Sequence, residues 1–244
     1  MKTIFVLDLS VTAIVFASML IVIGGEVNAS AKTSDGKWTE KFDLKDCNFT
    51  TTGSNTYFIL QPGYQTVFEG TDEDIDTKVT ITVLNQTKAV DGIDTRIIEE
   101  RAVNAKTGNA YEVSRNYFAI CTENNSVFYF GEDVDWYEDG KVVNHTGSWL
   151  HGVDSAEAGL IMPGIALIGS RYYQETAPNV AIDRAEIISL TETVKTPAGT
   201  FVNSLLERDT DGLDPGETSD RYYASNVGQI KDDMLDLVSY GYLK

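Results

Sequence analysis

Apolar and polar residues alternate along most of this chain with a period of two, the mark of strands that bury one face. Val79, Ile81 and Val83 point one way while Thr80 and Thr82 point the other. The same rhythm runs over residues 77–90, 92–104, 109–122 and 127–137, which predicts four consecutive long strands. Asp91-Gly92, Thr107-Gly108-Asn109 and Asn124-Asn125 stand between them, and Asp139-Gly140 comes after the fourth. These residue types accept the positive φ of tight hairpins, so the strands are expected to form an antiparallel meander. Residues 159–169 are expected to be a loop crossing an end of the sheet, and further strands are predicted at 171–175, 181–194, 200–208, 218–224 and 228–239. Met234, Leu235 and Val238 would also share one helical face, but the unbroken rhythm before Lys231 favours strand for the last of these.

Strands this long must twist and coil. The predicted fold is therefore all-β, a single long-stranded antiparallel meander curved strongly into a half-barrel or barrel. A two-sheet sandwich is the alternative. Residues 36–56 are polar and precede the meander, and nothing marks a boundary within 32–244, which reads as one domain.

The first residues have another pattern. Lys2, a mostly apolar run over residues 9–23, a break at Gly24-Gly25 and small residues at Val27-Asn28-Ala29 and Ala29-Ser30-Ala31 read as an export signal over 1–29. An uncleaved N-terminal anchor is the alternative and would be the chain's one contact with a membrane. The expected location is secreted or on the extracytoplasmic cell surface. There, Asn48, Asn85, Asn124 and Asn144 each open an Asn-x-Ser/Thr glycan acceptor triplet. Cys47 and Cys121 are read either as one disulfide or as two separate buried thiols.

Charge narrows the partners. The 244 residues carry 19 Lys+Arg against 37 Asp+Glu, a net charge of −18 that excludes nucleic acid, whose phosphates need a basic patch. The signal segment holds only Lys2, Asp8 and Glu26 among charged residues, so the acid excess belongs to the exported body. The acids gather at residues 72–76, 132–139 and 209–217. Asp133 and Asp135 share one strand face, and Asp209, Asp211 and Asp214 crowd a turn; both sets are candidate Ca²⁺ ligands, because hard cations take carboxylate oxygens. No other cofactor is expected. A solvated strand edge and an Asp-Gly hairpin loop are the plainer readings of the same residues.

Catalytic signatures are sparse. There is no Gly-x-Ser-x-Gly elbow and no His-Glu-x-x-His run, and His145 and His151 are the only histidines. Paired carboxylates remain the one hydrolase route, at low specificity with so many acids. Aromatic residues come in adjacent groups, Phe128-Tyr129-Phe130, Tyr172-Tyr173 and Tyr222-Tyr223, with neighbours expected to point alternately into the core and outward. Trp136, Trp149 and Tyr173 are the candidates for stacking on a ligand.

Tyr129-Phe130-Gly131-Glu132-Asp133, Tyr137-Glu138-Asp139-Gly140-Lys141-Val142-Val143, Gly147-Ser148-Trp149, Gly152-Val153-Asp154 and Ile161-Met162-Pro163 form a motif set. With it the chain resembles a family of uncharacterised secreted archaeal and bacterial β proteins over residues 57–238. The resemblance implies export and an all-β fold, and no function. Positions where such relatives can carry cysteines hold Asp94-Thr95 and Asn203-Ser204 here, so a Cys47–Cys121 bridge would be peculiar to this chain.

The leading expectation is a non-enzymatic binding or carrier module for a small apolar or lipid-like ligand. The alternative is a structural or interaction domain contacting cell-envelope components and stabilised by Ca²⁺, with a hydrolase third. An enclosed cavity would favour the first, a filled core with an exposed aromatic patch the second, and convergent carboxylates of shifted pKa the third.

Overall fold

The structure, a computed structural model, describes residues 37–72 and 75–243. The predicted export signal at 1–29 lies outside the described residues, as do Glu73 and Asp74 of the first acidic run. A 3-10 turn at Leu44–Asp46 and three short strands come first: β1 (Phe49–Thr50), β2 (Gly53–Ser54) and β3 (Ile59–Leu60). The meander is β4 (Tyr64–Asp72), β5 (Ile75–Val90), β6 (Ile93–Asn104), β7 (Ala110–Cys121) and β8 (Val127–Glu138). Shorter pieces come next: β9 (Lys141–Asn144), β10 (Trp149–Leu150), β11 (Glu157–Met162), β12 (Arg171–Tyr173) and β13 (Glu175–Thr176). The chain ends in β14 (Asp183–Thr196), β15 (Gly199–Asp211), β16 (Thr218–Ala224), β17 (Gly228–Asp232) and β18 (Leu235–Tyr242).

These strands form one large antiparallel sheet, in the order β12-β14-β15-β16-β17-β18-β4-β5-β6-β7-β8-β11-β13, nearly closed into a barrel with one seam; β2 and β3 make a small second sheet. The two halves join where β18 pairs with β4, Leu237 opposite Phe68. At the seam the Gln174 amide donates to the Asp183 carbonyl at 2.8 Å, drawing the two sheet ends together. The sheet is thus the barrel-like form of the sequence expectation rather than the sandwich.

Local chemistry explains the hairpins. Asp91 and Gly92 have φ of 46° and 79°, and Asp139 and Gly140 have φ of 49° and 74°, so both turns use the doubly positive φ that suits a twisted two-residue loop. Two sequence expectations need correction. Residues 159–169 are not all loop, because Glu157–Met162 is a strand paired with β8. Residues 228–239 are not one strand but the hairpin β17–β18, turning at Asp233 with φ 42°.

The aromatic expectation also changes. Phe128, Tyr129 and Phe130 are all buried, because the barrel wall is covered on both sides at this point. Phe42 and Phe49 lie over the outer face of β7–β8 and pack edge-on against Phe128, at 5.6 and 5.8 Å between ring centres. Cys47 and Cys121 are joined by a disulfide that ties this N-terminal cover to β7, their Cα atoms 5.1 Å apart. At Tyr172-Tyr173 and Tyr222-Tyr223, by contrast, one ring is buried and its neighbour half-buried.

One end of the barrel is closed by the tip of the β14–β15 hairpin. The Ala198 amide donates to the Leu237 carbonyl at 3.1 Å, and Val194 packs with Phe68, Val79, Leu235 and Leu237. Nearer the seam, a second cluster gathers Leu60, Phe118, Met162, Ile187 and Leu205. Between these two apolar plugs the interior is not filled.

Candidate ligand cavity

The unfilled interior is a cavity of about 310 Å³, at the small end of the range for ligand pockets, about 300–1,000 Å³. Its wall is more apolar than polar. Apolar lining comes from Tyr57, Phe58 and Ile59 ahead of the meander and from Val79, Ile81, Val83 and Ile98 on β5 and β6. Polar lining comes from Glu132 on β8, Gln174 and Glu175 at the seam, Asp183 on β14, Arg221 on β16 and Asp232 on β17. Glu100 on β6, with Ser114 and Asn116 on β7, adds to it.

Strand alternation delivers most of these side chains. Ile81 pairs with Glu100 and Glu100 with Ser114, so the three face inward side by side. Glu132 pairs with Asn116, but Tyr129, three residues away, also faces in and pairs with Phe118. Positions three apart cannot share a face of a regular strand. One extra residue in β8 between these pairs makes a β-bulge at Phe130-Gly131 and reverses the facing of Glu132 and its successors. Gly131 sits there with φ 138°, and a Cβ would lie 2.4 Å from the Trp149 carbonyl oxygen, so both backbone angle and space demand glycine.

Behind the polar wall lies a second layer of acids. Glu207 accepts from the Tyr172 hydroxyl and, at 3.2 Å, from the Tyr223 hydroxyl. Asp209 meets Arg221 at 2.8 Å, and Asp232 lies 3.4 Å from the Nε of the same guanidinium. Asp183 donates its backbone amide to Glu175 at 3.0 Å, which holds the two carboxyls together. Arg221 is the interior cation that most of these groups sense.

Removal from water dominates their protonation. Burial pushes Glu132 up to about 8, against the Tyr129 hydroxyl, which favours its charged form. Glu100 is pushed up to about 7 by burial and by Asp232. Burial also brings Glu207 to about 7, opposed by Tyr172. Glu175 rises well above the ordinary carboxylate range through burial and then through Asp183, and burial raises Asp183 as well. Burial alone would weaken the charge of Arg221, but Asp209 and Asp232 more than restore it.

Several interior polar atoms lack hydrogen-bond partners, among them Gln174 Nε2 and Asp232 Oδ1. Gln174 is only 2% exposed. A buried amide donor without a partner is costly and, in a cavity wall, marks where a bound group would bond.

The residues singled out in the sequence lie elsewhere. Asp133 and Asp135 face outward from β8. Asp133 bonds Lys88 at 3.0 Å and accepts from Tyr117; Asp135 meets Arg115 at 3.0 Å and His145 at 2.9 Å. Asp209 and Asp211 point inward at the end of β15, where Asp211 Oδ1 accepts the Leu213 amide at 2.6 Å, and Asp214 stands on the exposed loop tip. Among the described residues, only Cys47, Cys121 and Glu123 bring three metal-binding side-chain atoms within 4.8 Å of one another, and those sulfurs form the disulfide. Trp136, Trp149 and Tyr173 do not line the cavity: Trp136 bonds the Thr146 carbonyl, Trp149 packs edge-on to Tyr129, and Tyr173 packs against Trp38. Asn85 is exposed, Asn48 is exposed beside Glu123, and Asn124 and Asn144 accept backbone amides in their own turns.

Of the interior acids, sequence reasoning singled out Asp209 and Asp211, as Ca²⁺ candidates, and missed Glu100, Glu175, Asp183 and Glu207. Their signal was a carboxylate within an otherwise apolar inward row, as at Ile98-x-Glu100-x-Ala102, which is unusual for a packed core. Comparison with known protein families, curated proteins and solved structures returned no match.

Proposed function

We propose that this chain is a non-enzymatic binding module of the cell exterior that holds one small ligand inside its barrel. The observation that carries this reading is the unfilled cavity, walled by apolar side chains and by carboxyls. A barrel built only for structure fills its interior with side chains. The size suits a small molecule with one polar end. The exterior location is supported by the signal-like residues 1–29 and by a disulfide, a bond that persists in oxidising compartments.

The Glu175–Asp183 pair favours a second reading, acid–base chemistry on the bound molecule, since two adjoining buried carboxyls, both raised by burial, can divide acid and base roles. Binding is preferred because Glu175 is buried and its carboxyl accepts the Asp183 amide at 3.0 Å, which fixes it against the backbone.

Native mass spectrometry of the protein purified from its own host tests the proposal. A co-purifying small molecule, lost when Ile81→Trp fills the cavity, is the expected result. A clean apo mass after incubation with host small-molecule and lipid extracts would count against it.

A further inference from the structure

We infer that the cavity's ligand is an organic cation, a protonated amine on a small apolar body, with its charge seated between Glu100 and Glu132. The inference rests on the binding-module reading and deepens it. Interior charges are out of balance: Arg221 is committed to Asp209 at 2.8 Å and Asp232 at 3.4 Å. Glu207 is satisfied by two tyrosine hydroxyls. Glu175 and Asp183 answer each other. Glu100 and Glu132 have no ion pair among the described residues, though Glu100 feels Arg221 at a distance.

Their placement is specific. Glu100 pairs with Ser114 and Glu132 with Asn116, so the two carboxyls flank a short polar stretch of β7 on the inner face. Ile81 lies beside Glu100 on the neighbouring strand, and Val83 and Phe58 also line the cavity. A bound molecule would therefore meet both carboxyls and hydrocarbon. In the same wall the buried Gln174 has an unpartnered Nε2, a donor that calls for an acceptor such as a hydroxyl or carbonyl oxygen on the ligand's body.

Other ligand chemistries fit less well. An anion would face several carboxyls with the nearby guanidinium already engaged. A neutral apolar molecule would leave Glu100 and Glu132 desolvated with no cation, which is costly. A small inorganic ion needs oxygens converging on one point. No three interior carboxyls bring their oxygens within 4.8 Å among the described residues. A bulkier ammonium head with its own N–H donors spans wider spacing.

Calorimetric titration of the full chain at pH 8 compares butyl-, hexyl-, octyl- and decylammonium with the alcohols and carboxylates of equal length. The expected result is that the best ammonium binds at least about tenfold tighter than its alcohol, with the carboxylate weakest. The Glu100→Gln/Glu132→Gln double variant, with folding checked by circular dichroism, should lose that preference and bind ammonium and alcohol about equally. Equal binding of ammonium and alcohol would overturn the inference and leave the binding module standing. Displacement of the ammonium by Ca²⁺ would overturn it in favour of an inorganic ion. No binding by any of the series, together with a clean apo mass, would overturn both readings.

Discussion

Glu132 and Asp133 are neighbours on one strand and live in opposite worlds. Glu132 faces the cavity, where burial pushes its carboxyl up to about 8. Asp133 faces outward. Partial burial pushes it up as well, but the Tyr117 hydroxyl and the Lys88 ammonium outweigh that and hold it below its usual range. The same chemical group one residue apart is thus neutral on one side of the wall and charged on the other. The side of the sheet, rather than local sequence, decides what an acid does here. The outer acids make surface ion pairs with Lys88 and Arg115, while inner ones such as Glu100 and Glu132 line the cavity.

Four substitutions would break or sharpen this contrast, in falling order of effect. Arg221→Met should cost the most, about 3–5 kcal/mol at pH 8, because it strips Asp209 and Asp232 of their cation while leaving them in place. Denaturant unfolding reads this directly, and a loss under about 1 kcal/mol would show that the interior acids do not depend on that guanidinium. Removing the disulfide with Cys47→Ala and Cys121→Ala should cost about 2–4 kcal/mol. It should also expose Phe128 and Phe130 as the N-terminal cover loosens, seen as faster amide exchange on β7 and β8. Glu132→Gln should raise stability by about 1–3 kcal/mol at pH 8 and hardly at all at pH 5. Asp133→Asn should cost less than about 1 kcal/mol at pH 7, since solvent screens a half-exposed pair. Its cost should vanish on acidification, when the wild-type carboxyl also becomes neutral.

The pH dependence has a definite sign. Glu100, Glu132 and Glu207 hold protons in the folded state at pH values where the unfolded chain, with carboxyls near an ordinary value of about 4.3, has released them. Their contribution is fully present below that ordinary value and declines as pH rises toward 8. The melting temperature should therefore be higher at pH 5 than at pH 8.5, and a bound ammonium should narrow the difference.

The strands and most turns were legible because Asp-Gly and alternating β-branched residues encode them locally. Where that local code fell silent, the reading failed. Asp233-Met234 turns the chain without a glycine, so the β17–β18 hairpin reads as one strand. The outer cover over β7–β8 is a long-range contact between residues 42–49 and a distant strand pair. Its only trace was the uninterrupted apolar run Phe118-Ala119-Ile120-Cys121, which is how a strand buried on both faces looks. The site was least legible. Glu132 lies in the acidic run that stands out in the sequence, yet simple alternation singles out Asp133 and Asp135. The bulge at Gly131, invisible to that alternation, sets which of these acids faces in.

Carboxyl-selective NMR titration of Glu132 and Asp133, assigned through their amide variants, tests the central claim most directly. Glu132 should titrate near pH 8 and Asp133 below its ordinary range, in the same sample. Two coincident titrations near about pH 4, the ordinary carboxylate value, would show that water reaches both faces equally, and would contradict the buried inner wall on which the function rests.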